Sequence, residues 1–140
     1  ETGCYWERLS GFSGEPADRL ANNFDDVRQI VDVKPGDVGF YAGVDCGIWS
    51  MDLSPSKPPT ASFGGGTWLV NSEVAPGVWR NAPAETGCYW ERLSGFSGDA
   101  SERLANDFIP DTSPQTVTIS ATDTGFYADR SCGNWQYLGP

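Results

Sequence analysis

The sequence predicts an all-β chain of two tandem small modules. Each is a β-sandwich or partly open barrel with one disulfide, and the first lacks its N-terminal hairpin. Three observations predict this. Residues 1–24 return as residues 85–108, with the first 14 positions identical and 19 of 24 matching. After a two-residue insertion, QIVDVKPGDVGFYAGVDCGIW (29–49) aligns with QTVTISATDTGFYADRSCGNW (115–135), so the chain is a tandem duplication. Among 140 residues, 17 are Gly, 10 are Pro and 13% are aromatic, the profile of a turn-rich β protein and not of a helical or disordered one. Each copy also carries one pair of the four cysteines.

Each element has its own local signal. In the second copy, Thr67–Asn71 and Val78–Arg80 flank Pro76-Gly77, a pair suited to positions i+1 and i+2 of a type II turn, which predicts a hairpin. Alternation in CYWERL (88–93) makes the next strand, with Cys88, Trp90 and Arg92 on the core face and Tyr89, Glu91 and Leu93 on the other. Ser94–Gly98 reads as a loop, and Asp99–Glu102 has the spacing of a capping box opening a helical turn through Leu104. Gln115–Ser120, Gly125–Ala128 and Cys132–Tyr137 complete about six strands. The same scheme assigns Cys4–Leu9, Gln29–Val33, Gly39–Ala42 and Cys46–Met51 to the first copy, with no opening hairpin. Three prolines in 53–62 mark an extended linker, giving a first module over 1–53, a linker over 54–62 and a second module over 63–140. A module short of two strands leaves an open sheet edge and an apolar face. Upstream sequence, residues 63–84 or another chain would have to complete it.

Four cysteines allow three pairings, and the repeat selects Cys4–Cys46 and Cys88–Cys132. Each bridge closes a loop of about 40 residues, stabilising the fold by roughly 4 kcal/mol on the chain-entropy model. Such a protein is expected to be extracellular. The chain has no histidine, which removes Ser-His-Asp and Cys-His catalysis and imidazole metal ligation. The cysteine spacing lacks zinc knuckles and no cofactor motif is present, so neither metal nor cofactor is expected. A net charge of −10 argues against nucleic-acid binding, and no apolar run approaches the roughly 20 residues of a membrane span.

With CYWERLSGFSG preceded by a G-T-W…PG-x-W-R segment and followed by CG-x-W, the chain resembles a small disulfide-bridged β module recurring in secreted proteins and lipoproteins of actinobacteria and other bacteria. The resemblance covers residues 67–138 fully and 1–52 in part. It implies a secreted or cell-surface setting, a disulfide between the two motif cysteines and a strand pair ahead of CYWERL. It carries no established activity.

Three groups of residues could carry chemistry. Carboxylates recur at Glu7/Glu91, Asp37/Asp123 and Asp18/Glu102, and glycosidases need such pairs. Adjacent Glu-Arg in a strand more often makes cross-strand ion pairs, however, and an Asp before Gly-Phe-Tyr-Ala suits an Asx turn. Aromatics at Tyr5/Tyr89, Trp49/Trp135 and Tyr41/Tyr127, beside Asn22/Asn106, could form a sugar-stacking platform with Glu7 and Glu91, or simply fill small cores. The loop 10–24 and its twin 94–108 match better than the rest of the repeat, which a demanding geometry at Gly11 and Gly14 explains as well as a ligand does. An irregular calcium site near Asp25-Asp26 or Asp107 is the remaining metal option.

The expected function is that of a non-enzymatic extracellular tandem-repeat protein, a structural or binding component of a cell surface. One version assembles with itself into a fibre by strand exchange through Thr67, Trp68, Leu69, Val70, Val78 and Trp79. The alternative is a carbohydrate-binding or adhesin module for a surface glycan or protein. More remote is a carboxylate-dependent hydrolase or a protease inhibitor.

Overall fold

A computed structural model describes residues 3–53 and 61–140. The linker reading falls mostly on 54–60, outside the described residues. CYWERL is a strand in both copies, and its alternation places the two faces as expected.

Among the described residues eleven strands form in chain order: β1 (Cys4–Leu9), β2 (Arg19–Asp25), β3 (Gly39–Ala42), β4 (Ser62–Phe63), β5 (Gly66–Leu69), β6 (Gly77–Ala82), β7 (Cys88–Leu93), β8 (Arg103–Ile109), β9 (Thr116–Ile119), β10 (Gly125–Ala128) and β11 (Asn134–Gly139). The second copy has two antiparallel four-stranded sheets, β5-β10-β7-β8 and β4-β11-β6-β9. Side chains of both enter one core, where Trp79, Trp135, Phe126, Cys88 and Cys132 are fully buried. Phe63 stands edge-on to Trp79 at 4.9 Å, and Trp135 edge-on to Phe126 at 5.3 Å, the offset geometry that aromatic quadrupoles favour. Both expected disulfides are present, Cys4–Cys46 and Cys88–Cys132.

Three sequence expectations fail in the second copy, each for a physical reason. β5 and β6 do not form a hairpin: β5 lies beside β10, whereas β6 lies between β11 and β9 in the other sheet. The chain turns immediately after β5, where Asn71 adopts φ 74° and the Glu73 and Val74 amides donate to the Leu69 carbonyl at 3.0 Å. Gly77, at φ 139°, starts β6 where any Cβ would strike the Gly139 carbonyl and the Tyr137 ring. It therefore serves a close approach to β11 and not a reverse turn. The helical turn expected through Leu104 is a single 3-10 turn over Ala100–Glu102, capped by the Asp99 carboxylate, which accepts from the Ser101 amide at 2.9 Å. The chain then enters the edge strand β8, unmarked in the sequence because RLANDF lacks β-branched residues. Ser62, assigned to the linker, pairs in β4 with Gln136.

The first copy contains one sheet, β2-β1-β3, in the order of its counterparts β8-β7-β10. Gln29–Val33 and Cys46–Met51 form no strands, contrary to expectation. Their counterparts β9 and β11 both hydrogen-bond to β6, and residues 3–53 hold no equivalent of β6. Strand-forming sequence without a β6-like partner has no ladder to join and remains irregular.

The first copy rests on the second. The Arg8 guanidinium donates to the Ser97 carbonyl at 2.7 Å, the Asp32 amide donates to the Phe96 carbonyl at 2.8 Å, and the Thr67 amide at the free edge of β5 donates to the Arg28 carbonyl at 2.9 Å. One Arg28 guanidinium nitrogen donates to both Glu73 carboxylate oxygens at 2.9 Å, and the guanidinium lies 4.1 Å above the Trp68 ring. Tyr127 donates to the Asp25 carboxylate, and Arg130 pairs with Asp26 at 3.2 Å.

Candidate functional site

The outward face of CYWERL carries one arrangement twice. In the first copy Tyr5 donates to Glu7 at 2.9 Å, Asn22 donates to the Tyr5 hydroxyl at 3.5 Å, Arg19 lies 3.6 Å from Glu7, and Tyr41 stands tilted against Tyr5 at 6.3 Å. In the second, Asn106 donates to Tyr89 at 3.4 Å, Arg103 pairs with Glu91 at 3.2 Å, and Tyr127 stands against Tyr89 at 6.2 Å. Register explains the grouping, since β1 sets Glu7 opposite Asn22 on one side and Tyr41 on the other, as β7 does for Glu91. Burial pushes the Glu91 carboxyl and the Tyr89 hydroxyl up; Arg103 opposes the shift in both.

Of the residues expected to form a platform, Tyr5, Glu7 and Asn22 thus come together, as do Tyr89, Glu91 and Asn106. The tryptophans do not join them. Trp135 is fully buried in the core and offers no ring face to a ligand. Trp49, on the opposite face of the first sheet, meets Phe40 edge-on at 5.5 Å.

The loops and acidic residues are committed to structure. Asp18 accepts from the Ser13 amide and hydroxyl, and Glu102 from the Ser97 amide and hydroxyl, closing the same loop in each copy. The rings of Phe12 and Phe96 lie where Gly39 and Gly125 would otherwise carry a Cβ. These contacts account for the loop's retention without a ligand. Asp37 and Asp123 accept from the Lys34 and Ser120 amides in the expected turns, and each also pairs with an arginine that sequence spacing did not connect to it, Arg8 or Arg92. Asp25 and Asp26 are engaged by Tyr127 and Arg130 across the seam. Cys88, Asp129 and Cys132 lie together, but the two sulfurs are bonded to each other and present no thiolate to a metal.

A different surface is open in the first copy. Among the described residues its β3 strand is bonded on one side only, to β1, whereas β10 lies between β7 and β5. Val33 and Trp49 are 57% and 37% exposed, against 1% and 0% for their counterparts Ile119 and Trp135. Ile48 and Met51 are fully out in solvent. The residues expected to exchange, Thr67, Trp68, Leu69, Val70, Val78 and Trp79, serve the second copy, where Trp79 donates to the Ala75 carbonyl and is fully buried.

The family model of the Rv1352-like extracellular domain matches residues 1–50 and 60–136. The chain belongs to this family. No curated protein and no solved structure matches it. The Rv1352-like domain is a small extracellular β module with an internal disulfide, and among its described residues no helix is long and apolar enough to cross a membrane. Sequence reasoning missed the seam within this Rv1352-like chain, because nothing in the spacing of Arg8, Arg28 and Asp25 links them to Ser97, Glu73 and Tyr127 in the other copy.

The seam carries an acid-sensitive element. The Arg8 guanidinium holds the Asp37 carboxyl at about 2, below its ordinary 3.8. A carboxyl depressed in the folded state stabilises it above the unfolded value, and that contribution is lost as pH falls through the folded one. Near-ultraviolet dichroism is therefore expected to change between pH 3.8 and about 2. Asp37→Asn should shift this transition, and an unaltered transition would exclude the Arg8 pair as its source.

Proposed function

We propose that this extracellular chain is a non-enzymatic structural and binding component whose first copy accepts a polypeptide segment of the kind that residues 61–82 supply to the second. The exposure of Val33, Ile48, Trp49 and Met51 carries the reading, since their counterparts lie in or beside a sheet that such a segment organises. Strand addition suits the site. Main-chain bonds to β3 would supply affinity, and pockets for a Trp at the position of Trp79 would supply selectivity. The non-enzymatic part rests on the lack of histidine and on the structural engagement of the recurring carboxylates Glu7/Glu91, Asp18/Glu102 and Asp37/Asp123.

Stoichiometry disfavours a fibre built by donating residues 61–82. Each chain carries one such segment and two places for it, and withdrawing it would uncover Trp135, Phe126 and Ile119 in the second copy. The partner segment is therefore one from outside residues 1–140. A peptide of residues 61–84 is expected to bind the intact chain saturably in calorimetry, with a negative heat-capacity change from apolar burial. A peptide carrying Trp79→Asp should bind at least about tenfold more weakly. Equal binding of the two peptides, or none, would refute the reading.

A further inference from the structure

We propose that the cleft between the two copies is a binding site for a neutral saccharide. The cleft has a volume of about 390 Å³, within the roughly 300–1,000 Å³ of ligand pockets. Its walls are the outward face of β7 and β10, presenting Tyr89, Tyr127 and Glu91, and the first copy's Trp6 and Asn22. The bond from Tyr127 to Asp25 ties one wall to the other, so the cleft exists only with both copies in place.

Three features define the ligand class. Tyr89 and Tyr127 offer ring faces to the C–H side of a pyranose, while their hydroxyls are held in place by Asn106 and Asp25. Half-buried Glu91 uses Arg103 as one partner, and a carboxylate with two oxygens still accepts from adjacent sugar hydroxyls. The lining includes Asp25, Glu91, Asp99 and Glu102 against Arg103, a balance that repels phosphate, sulfate and uronate groups.

The duplication supplies the second observation. Tyr, Tyr, Glu, Arg and Asn are identical in both copies on this face, although in the first copy it lies on the outside of a single sheet. Of the positions that pack the second copy's other sheet, Val33/Ile119 and Met51/Tyr137 have changed, whereas Val31/Val117 and Trp49/Trp135 have not. The grouping is thus kept in the first copy although no second sheet covers it there, as recognition of a common ligand requires.

The test is an amide chemical-shift titration of the intact chain with cellotetraose, maltotetraose and chitotetraose, each to roughly 10 mM, ten times the Kd of a weak complex. Saturable shifts at Tyr89, Glu91 and Tyr127 with at least one sugar are expected. Glu91→Gln, isosteric and so spared a packing change, should weaken that binding about tenfold or more. No saturable shift with any of the three, shifts confined elsewhere, undiminished binding by Glu91→Gln, or equal binding of an oligogalacturonate would each overturn the assignment.

Discussion

Trp135→Ala is expected to destabilise the second copy by about 3–5 kcal/mol, while Trp49→Ala, at the equivalent position of the first, costs less, about 2 kcal/mol. The two residues share a sequence position but not an environment. Trp135 is fully enclosed between sheets by Phe63 and Phe126, so truncation leaves a cavity that neighbouring rings cannot collapse to fill. Trp49 loses one edge contact with Phe40 and is already 37% exposed. Denaturant unfolding followed by far-ultraviolet dichroism reads the difference. Equal costs would mean that the first copy encloses its tryptophan as the second does.

Removing the disulfides should separate the copies in another way. Cys4→Ser with Cys46→Ser and Cys88→Ser with Cys132→Ser delete loops of similar length, 42 and 44 residues of separation, and each loses about 4 kcal/mol on the chain-entropy model. The second copy has two sheets and a shared aromatic core to set against that loss. The first has three strands and its seam contacts. Hydrogen exchange is therefore expected to show β1–β3 unprotected in the first double variant while β6, β7 and β11 stay protected. In the second double variant the seam partner itself is weakened, so protection should fall in both copies. Retained protection of β1–β3 without Cys4–Cys46 would show that the seam alone holds the first sheet.

Much of this architecture is legible in the sequence because the repeat acts as its own alignment. It selects both disulfides, and alternation in CYWERL assigns Tyr89 and Glu91 to one face and Trp90 and Arg92 to the other. The β8 strand escapes notice because RLANDF has no β-branched residue and pairs on one side only. The β5–β6 error arises because Pro-Gly is a local turn signal, whereas sheet membership is decided by distant partners, Tyr127 for Thr67 and Tyr137 for Trp79. Gln29–Val33 shows the reverse case, a β-branched stretch that stays irregular for want of a neighbour. The Tyr-Glu-Asn grouping is readable from repetition, but the cleft in front of it is not, because it depends on how one copy seats on the other through Arg8, Arg28 and Tyr127.

The open edge of β3 is the feature on which the functional reading stands, and amide hydrogen exchange of the intact chain with and without the 61–84 peptide examines it directly. Strand addition predicts that exchange at Gly39–Ala42 slows by about tenfold or more with the peptide, as main-chain donors pair. It also predicts new protection in 29–33 and 47–51, which a β6-like strand would order, and none of this with the Trp79→Asp peptide. Unchanged exchange at Gly39–Ala42 under saturating peptide would contradict the account.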